Sequence, residues 1–277
     1  MGPQYKHEEM KVMKKWSQCK GTVTLELDGR MDAKAGQFAM LFVDGVSENP
    51  FTVAHNNPLR FTVKARGEDD GGASFSNRLL HMERGDRVKV TGPSGNCYWD
   101  LIETSRPVYV FMGGCGAAGL PLLADEMEIC GVNVRYLFGA RSREYLPRDA
   151  LNRRFNSKSD IAIEDATCGG YTQGTVLDLV DDEELRRLAG EGGQAIICGP
   201  TKMLIAVGDR LAQYLRKEDI IISAEPYMKC GRGVCGSCEV AGYHACTDGP
   251  NFRYSDVEAA PEFRSFRRRK SGLLEPL

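Results

Sequence analysis

The sequence predicts a multidomain β plus α/β protein: an antiparallel β-barrel over residues 1–104, a parallel α/β domain over 105–225 and a small loop domain over 226–277. Three observations predict it. Up to residue 104, short runs rich in β-formers are parted by turn residues at barrel-like spacing. From residue 105, strand-like runs alternate with helix-like ones, the pattern of a parallel sheet with crossover helices. Beyond residue 226, four cysteines crowd among glycines.

A chain of 277 residues is long enough for two or three compact units. With 42% hydrophobic and 27% charged residues and a formal net charge of −2, it does not read as a nucleic-acid binder. No apolar run reaches the ~18 residues of a membrane helix. The start, MGPQYKHEEMKVMKKW, has no apolar core of an export signal. Ten cysteines without such a signal suit a reducing cytoplasm. Most of the scattered ones (Cys19, Cys97, Cys115, Cys130, Cys168, Cys198) are expected as buried small hydrophobes.

The barrel strands are GTVTLEL, QFAMLFV, LRFTVKA and DRVKVTG, from Gly21, Gln37, Leu59 and Asp86. Turns fall at Asp28-Gly29, Asp44-Gly45, Asn56-Asn57-Pro58 and Arg84-Gly85-Asp86. In the second domain, PVYVFM runs into a glycine-rich turn, Gly113, Gly114, Cys115, Gly116, Ala117, Ala118, Gly119, and then a helix towards Cys130. Such a turn lets a dinucleotide pyrophosphate approach a helix N-terminus, and by itself it is equally a simple tight turn. Strands NVRYLF, DIAIE, QAIIC and DIIIS follow, with a helix over Thr201–Leu215. A ligand belongs at the carboxyl ends of these strands. There, Arg141 and Arg143 would suit a 2′-phosphate, whereas Glu164 or Asp165 would suit a ribose hydroxyl.

Cys230, Cys235, Cys238 and Cys246 give the spacing C-x4-C-x2-C-x7-C. Its first part is the plant-type [2Fe–2S] pattern, three thiolates on one loop and a fourth from outside it. Gly231, Gly233 and Gly236 supply the positive φ such a loop needs. Structural zinc is the alternative, though its ligands usually come as two close pairs. The basic tail (Arg264, Arg267, Arg268, Arg269, Lys270) reads as a solvated face or as a docking surface.

Several motifs resemble a known superfamily. Ala35-Gly36-Gln37-Phe38, Asn49-Pro50-Phe51-Thr52, the turn Gly71-Gly72-Ala73-Ser74-Phe75-Ser76 and Gly92-Pro93-Ser94-Gly95-Asn96 are similar to the flavin barrel of ferredoxin reductase-like proteins. Cys198-Gly199-Pro200-Thr201-Lys202-Met203 resembles the segment that borders the nicotinamide there. The resemblance implies FAD bound by Asn49, Pro50, Phe51, Thr52, Arg66, Gly71, Gly72, Ser74 and Ser76. It implies NAD bound by Gly113, Gly114, Gly116, Cys198, Gly199 and Pro200, with Thr52 and Cys198 at the reacting atoms. Two departures stand out. Asn49 occupies the position of a phosphate-binding Arg, whose part Arg66 or Arg78 would take, and Gly119 replaces a usual Pro.

The domain order and the loop E-x-Y-M-K-C-G-x-G-x-C-G-S-C…C-x-D-G-P-x-F resemble electron-transfer subunits of class 1B dihydroorotate dehydrogenases over residues 20–270. That implies FAD, a [2Fe–2S] cluster on Cys230, Cys235, Cys238 and Cys246, and NAD as acceptor. It also implies a catalytic dihydroorotate dehydrogenase subunit with FMN as partner, two copies of each chain, and a docking face around Arg232, Tyr243 and the C-terminal segment. Two alternatives differ in partner or class: a diaphorase subunit of a sulfhydrogenase or ferredoxin–NADP transhydrogenase, and a zinc-stapled module without redox function.

Overall fold

A computed structural model describes residues 7–65, 75–148, 159–165, 170–268 and 272–277, apart from the side chains of Cys115 and Ser159. Among these residues, six antiparallel strands close a barrel in the order β1-β2-β5-β4-β3-β6. They are β1 (Glu8–Cys19), β2 (Thr22–Leu27), β3 (Phe38–Val43), β4 (Ser47–Asn56), β5 (Leu59–Lys64) and β6 (Arg87–Ser94). Strand alternation turns Leu41, Val53, Phe61, Val63, Val88 and Val90 into its core, all buried. A short helix, α1 (Phe75–Leu80), adds Phe75 and Leu79 to that core.

Four barrel strands stand where the sequence places them. β4 is marked in the sequence only by its motif, and β1 by nothing. β1 carries Lys or Glu at most outward positions and buries little more than Met10 and Val12 at its start, so its alternation is faint. It nevertheless closes the barrel, pairing with β2 and, through Glu8 to Lys11, with β6.

The second domain is built on a sheet of order β10-β9-β8-β7-β11-β12-β15. Its parallel strands are β7 (Val108–Gly113), β8 (Val134–Ala140), β9 (Ser159–Ile163), β10 (Thr172–Gln173), β11 (Gln194–Cys198) and β12 (Ile220–Ser223). Every residue of β7 and β11 is buried, as a strand covered by helices on both faces requires. The helices are α2 (Leu120–Ile129), α3 (Asp182–Gly190) and α4 (Thr201–Leu211), the last shorter than the sequence predicts. Asp181 caps α3, its side chain accepting from the Glu184 N–H at 2.8 Å.

The last strand of the sheet comes from beyond residue 226. β15 (Asn251–Arg253) runs antiparallel to β12, with Ile221 opposite Arg253 and Ser223 opposite Asn251. Residues 224–250 are therefore an excursion from the carboxyl edge of the sheet, containing the small hairpin β13 (Glu239–Val240) and β14 (Tyr243–His244). Two short helices, α5 (Tyr254–Val257) and α6 (Pro261–Arg264), and a hairpin, β16 (Phe266–Arg268) with β17 (Leu274–Pro276), end the chain. Of the scattered cysteines with described side chains, Cys97 and Cys198 are buried as expected, Cys19 is half-buried and Cys130 is exposed. Cys130 ends up exposed because it caps α2 just before the turn into β8. No helix among the described residues is long and apolar enough to cross a membrane.

Candidate functional site: a cysteine loop beside an interdomain cleft

The cysteine loop forms because its glycines take a conformation closed to other residues: Gly231, Gly233 and Gly236 have φ of 64°, 69° and 69°. These turns aim backbone donors inward. The Arg232 N–H points to Cys230 Sγ at 3.4 Å and the Gly233 N–H to Cys246 Sγ at 3.0 Å. Cys238 and Cys246 are buried with their sulfurs 3.4 Å apart. Cys235 is exposed, its Sγ 3.4 Å from Ser237 Oγ, and it interacts with Cys230. Hydrogen bonding with Ser237, helped by Cys230, lowers the Cys235 thiol to about 6. Burial, reinforced by Cys238, pushes Cys246 up to about 12.

Among the described residues no group of three or more His, Cys, Asp or Glu side chains is gathered to hold a metal ion. Cys238 and Cys246 form a buried pair, exposed Cys235 interacts with half-buried Cys230, and Cys230 in turn acts on Cys246. That arrangement fits a binuclear cluster, in which each iron takes two thiolates. A structural zinc would need all four sulfurs about 2.3 Å from one point.

The second feature is a cleft where the barrel meets the α/β domain. Thr52 reaches it from β4, Tyr98 from the turn after β6, Cys198 from the end of β11, and Ser223 and Glu225 from the end of β12. Glycines keep the walls low. A Cβ on Gly116 would lie 2.1 Å from the Cys198 carbonyl oxygen, and one on Gly119 would lie 2.8 Å from Thr52 Cγ2. The departure at Gly119 is thus the complement of Thr52, because no other residue leaves space for the threonine methyl.

Tyr98 Oη and Cys198 Sγ are 2.9 Å apart, both side chains buried. Burial raises the Cys198 thiol to about 12, partly offset by the hydrogen bond with Tyr98 and augmented by the charge of Glu225. Burial likewise holds the Tyr98 phenol well above its ordinary value. Both groups are therefore neutral near pH 7, and the cleft carries hydrogen-bonding capacity without local charge from them.

Of the predicted residues, Thr52, Gly116 and Cys198 line this cleft, and the others with described positions lie on the elements that lead to it. Asn49, Pro50 and Phe51 precede Thr52 on β4, and the Phe51 ring packs on Phe75 at 6.0 Å. Ser76 is buried in the first turn of α1. Gly113 ends β7 with Gly114 and Gly116 just after it, and Gly199 and Pro200 follow β11. Gly113 and Gly199 both border Met203 Sδ, so the two turns sit together at the carboxyl edge of the sheet. Arg66, Gly71, Gly72 and Ser74 lie outside the described residues.

Arg78 is exposed in the last turn of α1. A different cation, Lys64, stands near the glycine turn: its Nζ would be 3.8 Å from a Cβ on Gly114, in a neighbouring cleft. Of the residues bearing on nicotinamide choice, Arg141 and Asp165 are brought together by an Asp165 N–H to Arg141 carbonyl bond of 2.9 Å. Sequence reasoning did not single out Lys64, Tyr98 or Ser223, and met Glu225 only as the first residue of the cysteine-loop motif. The last two stand just before the loop, and that adjacency is the signal that would have found them.

Residues 225–258 match the family model described as the iron–sulfur cluster binding domain of dihydroorotate dehydrogenase B. The chain is 32% identical over 255 residues to a Methanocaldococcus jannaschii protein named probable dihydroorotate dehydrogenase B (NAD(+)), electron transfer subunit, covering 90% of each chain. It is 30% identical to the Pyrococcus abyssi protein of the same name, over 96% of this chain and 97% of the other. Among solved structures, it is similar to a chain of the NADH-dependent reduced ferredoxin–NADP oxidoreductase, with a TM-score of 0.73 and 26% identity over 93% of this chain and 91% of that one. The flavohaem-like FAD/NAD-binding domain of Vibrio cholerae nitric oxide dioxygenase shares the fold, with a TM-score of 0.67 and 22% identity over 77% of this chain and 96% of that one.

Proposed function

The chain belongs to the electron transfer subunits of dihydroorotate dehydrogenase B, and from that premise we propose which of its residues carry the electrons' cofactors and face the partner. Its function is electron transfer to NAD in pyrimidine biosynthesis, with FAD and a [2Fe–2S] cluster as cofactors. FAD joins the two kinds of chemistry, exchanging single electrons with a cluster and paired electrons, as hydride, with NAD.

Cys230, Cys235, Cys238 and Cys246 hold the cluster, and the N–H groups of Arg232 and Gly233 offset negative charge on the sulfurs. Asn49, Pro50, Phe51 and Ser76 hold the flavin against the barrel, with Arg66, Gly71, Gly72 and Ser74 completing that site. Thr52 offers its hydroxyl to the reacting edge of the ring. Gly113, Gly114, Gly116, Gly199 and Pro200 receive the nicotinamide nucleotide. Cys198, kept protonated by its burial, covers the nicotinamide as a neutral group. Lys64 offers a cation at the glycine turn, where a nucleotide phosphate would lie. The observation that carries this reading is a shared edge: Ser223 and Glu225 line the cleft, and the cysteine loop departs from the same strand end.

The partner is the catalytic subunit, carrying FMN, in an assembly of two copies of each chain. It docks around Arg232, Tyr243 and the C-terminal segment. Val234, 81% exposed beside Cys235, and Tyr243, 43% exposed, give that face apolar area near the exposed Cys235 thiol.

The first measurement is the visible spectrum of anaerobically purified protein, before and after NADH and then NADPH. Flavin and iron–sulfur bands that bleach with NADH are expected. A colourless protein containing zinc and no iron overturns the assignment of the thiols. Orotate formation with NAD, by this chain reconstituted with a catalytic subunit, tests the partner. Failure there with intact NADH bleaching would point to a ferredoxin-linked partner, as the similarity to the ferredoxin–NADP oxidoreductase chain would then indicate.

A further inference from the structure

The turn after β6 places a tyrosine hydroxyl against the thiol that faces the cleft from the other domain. Tyr98 is 5% exposed and Cys198 7% exposed, and 2.9 Å separates Oη from Sγ. A buried hydroxyl loses water, so its position is stable only where protein partners replace that water. Here the replacements are Cys198 and Ser223, two side chains that themselves line the cleft. A phenylalanine would fill the same volume without needing either partner.

The tyrosine is also held rigidly. Its N–H donates to the Ala35 carbonyl at 3.0 Å, and neighbouring Gly36 leaves the ring its space, since a Cβ there would lie 3.2 Å from Tyr98 Cδ2. Cys198 ends β11, just before the turn at Gly199, and its Sγ meets the Tyr98 hydroxyl from the other domain.

We propose that Tyr98 is a positioning residue for the hydride-transfer pocket, fixing the Cys198 sulfur across the domain boundary so that the thiol meets the nicotinamide in one orientation. This rests on the placement of flavin and nicotinamide in the cleft. The hydroxyl carries no proton away and touches no reacting atom. Its effect passes through Cys198, with Ser223 as its second anchor.

The test is a double-mutant cycle on the flavin- and cluster-loaded protein: wild type, Tyr98→Phe, Cys198→Ala and the double variant, each mixed anaerobically with NADH. Two quantities are read, the rate of flavin bleaching against NADH concentration and the long-wavelength nicotinamide–flavin charge-transfer band. Tyr98→Phe is expected to lower the limiting rate about fivefold, the effect of one hydrogen bond. It is expected to weaken the band while the half-saturating NADH concentration and the bound FAD stay unchanged. In the Cys198→Ala background the same substitution should change neither quantity.

Wild-type behaviour of Tyr98→Phe, or an equal effect with and without Cys198, overturns the proposal, the second outcome marking a tyrosine that only packs. A wild-type protein that carries flavin yet gives no bleaching and no band overturns the underlying functional reading instead. Phenylalanine keeps the buried ring, and thermal unfolding of each variant confirms that folded proteins are being compared.

Discussion

Thr52 and Gly119 are a matched pair, and the match accounts for a residue that looks like a defect in the sequence. Any Cβ at 119 would press on Thr52 Cγ2 at 2.8 Å, well inside normal contact. Gly119→Ala is therefore expected to cost about 1–3 kcal/mol of stability, as overpacking does. Thr52→Ser, which removes the methyl and keeps the hydroxyl, should recover most of that loss. Chemical denaturation of the single and double variants checks it, and equal stability of Gly119→Ala and wild type would show that the threonine simply rotates away. Asn49 gives a second prediction at this scale. Restoring a guanidinium with Asn49→Arg adds a charge-assisted bond to a flavin phosphate, so FAD should bind about tenfold more tightly in a fluorescence titration. Unchanged affinity would mean that the site already holds the phosphate without that charge.

Among the elements, the joint between β6 and β15 governs how the cysteine loop sits on the barrel. The Asn96 N–H donates to the Gly249 carbonyl at 2.6 Å, and its side-chain amide donates to the carbonyls of Asp248 at 3.1 Å and Asn251 at 2.8 Å. Asn251 reciprocates, its N–H donating to Asn96 Oδ1 at 3.1 Å and its side chain to the Gly36 carbonyl at 3.2 Å. One asparagine at the end of the barrel thus ties both the last residues of the loop and the strand that returns from it. Asn96→Ala should slow reduction of the cluster by NADH, followed by electron paramagnetic resonance, while flavin bleaching keeps its wild-type rate. Parallel loss of both rates would mean that the joint supports the fold as a whole. The Asn of Gly92-Pro93-Ser94-Gly95-Asn96 is legible as a motif, but its partners lie 152 to 155 residues away and no local pattern announces them.

For the molecule as a whole, half-buried polar contacts add to the cleft in joining the barrel to the α/β domain. Ala35 N–H donates to Glu126 Oε2 at 3.0 Å, and Trp99 Nε1 donates to the same carboxylate. Within the α/β domain, Arg106, just before β7, reaches Asp219 at 2.8 Å, where Arg216 also bonds at 2.7 Å. Burial works to raise the Asp219 carboxyl, but hydrogen bonds from Arg106 and Arg216 prevail and hold it below its ordinary value. Removing that charge with Asp219→Asn should cost about 1–2 kcal/mol, the worth of charge-assisted hydrogen bonds whose arginine partners keep contact with water. The sign of the pH dependence follows. A depressed acid contributes stability that is present above its unfolded value of 3.8 and lost as pH falls through the lower folded value. The gap between wild type and Asp219→Asn in urea denaturation should be full at neutral pH and shrink below about pH 4. A gap that persists into strong acid would assign the cost to packing.

Local sequence determined the kind of protein. Alternation with period two, helical segments between apolar runs and glycines at forced turns are short-range signals, so the barrel, the parallel sheet and the cysteine loop were all readable, with four ligand cysteines sixteen residues apart at most. Where the signal was weak, the reason is physical: β1 buries so few residues that its pattern is nearly that of a polar leader, and its role comes from pairing with two distant strands. Only the tertiary structure decided how the parts meet. It set β15 on the edge of the sheet, put Tyr98 against Cys198, brought Lys64 to the glycine turn and gave Gly119 its reason. Each of these is a contact between chain segments far apart in sequence, fixed by the packing of whole elements, and no window of neighbouring residues contains it.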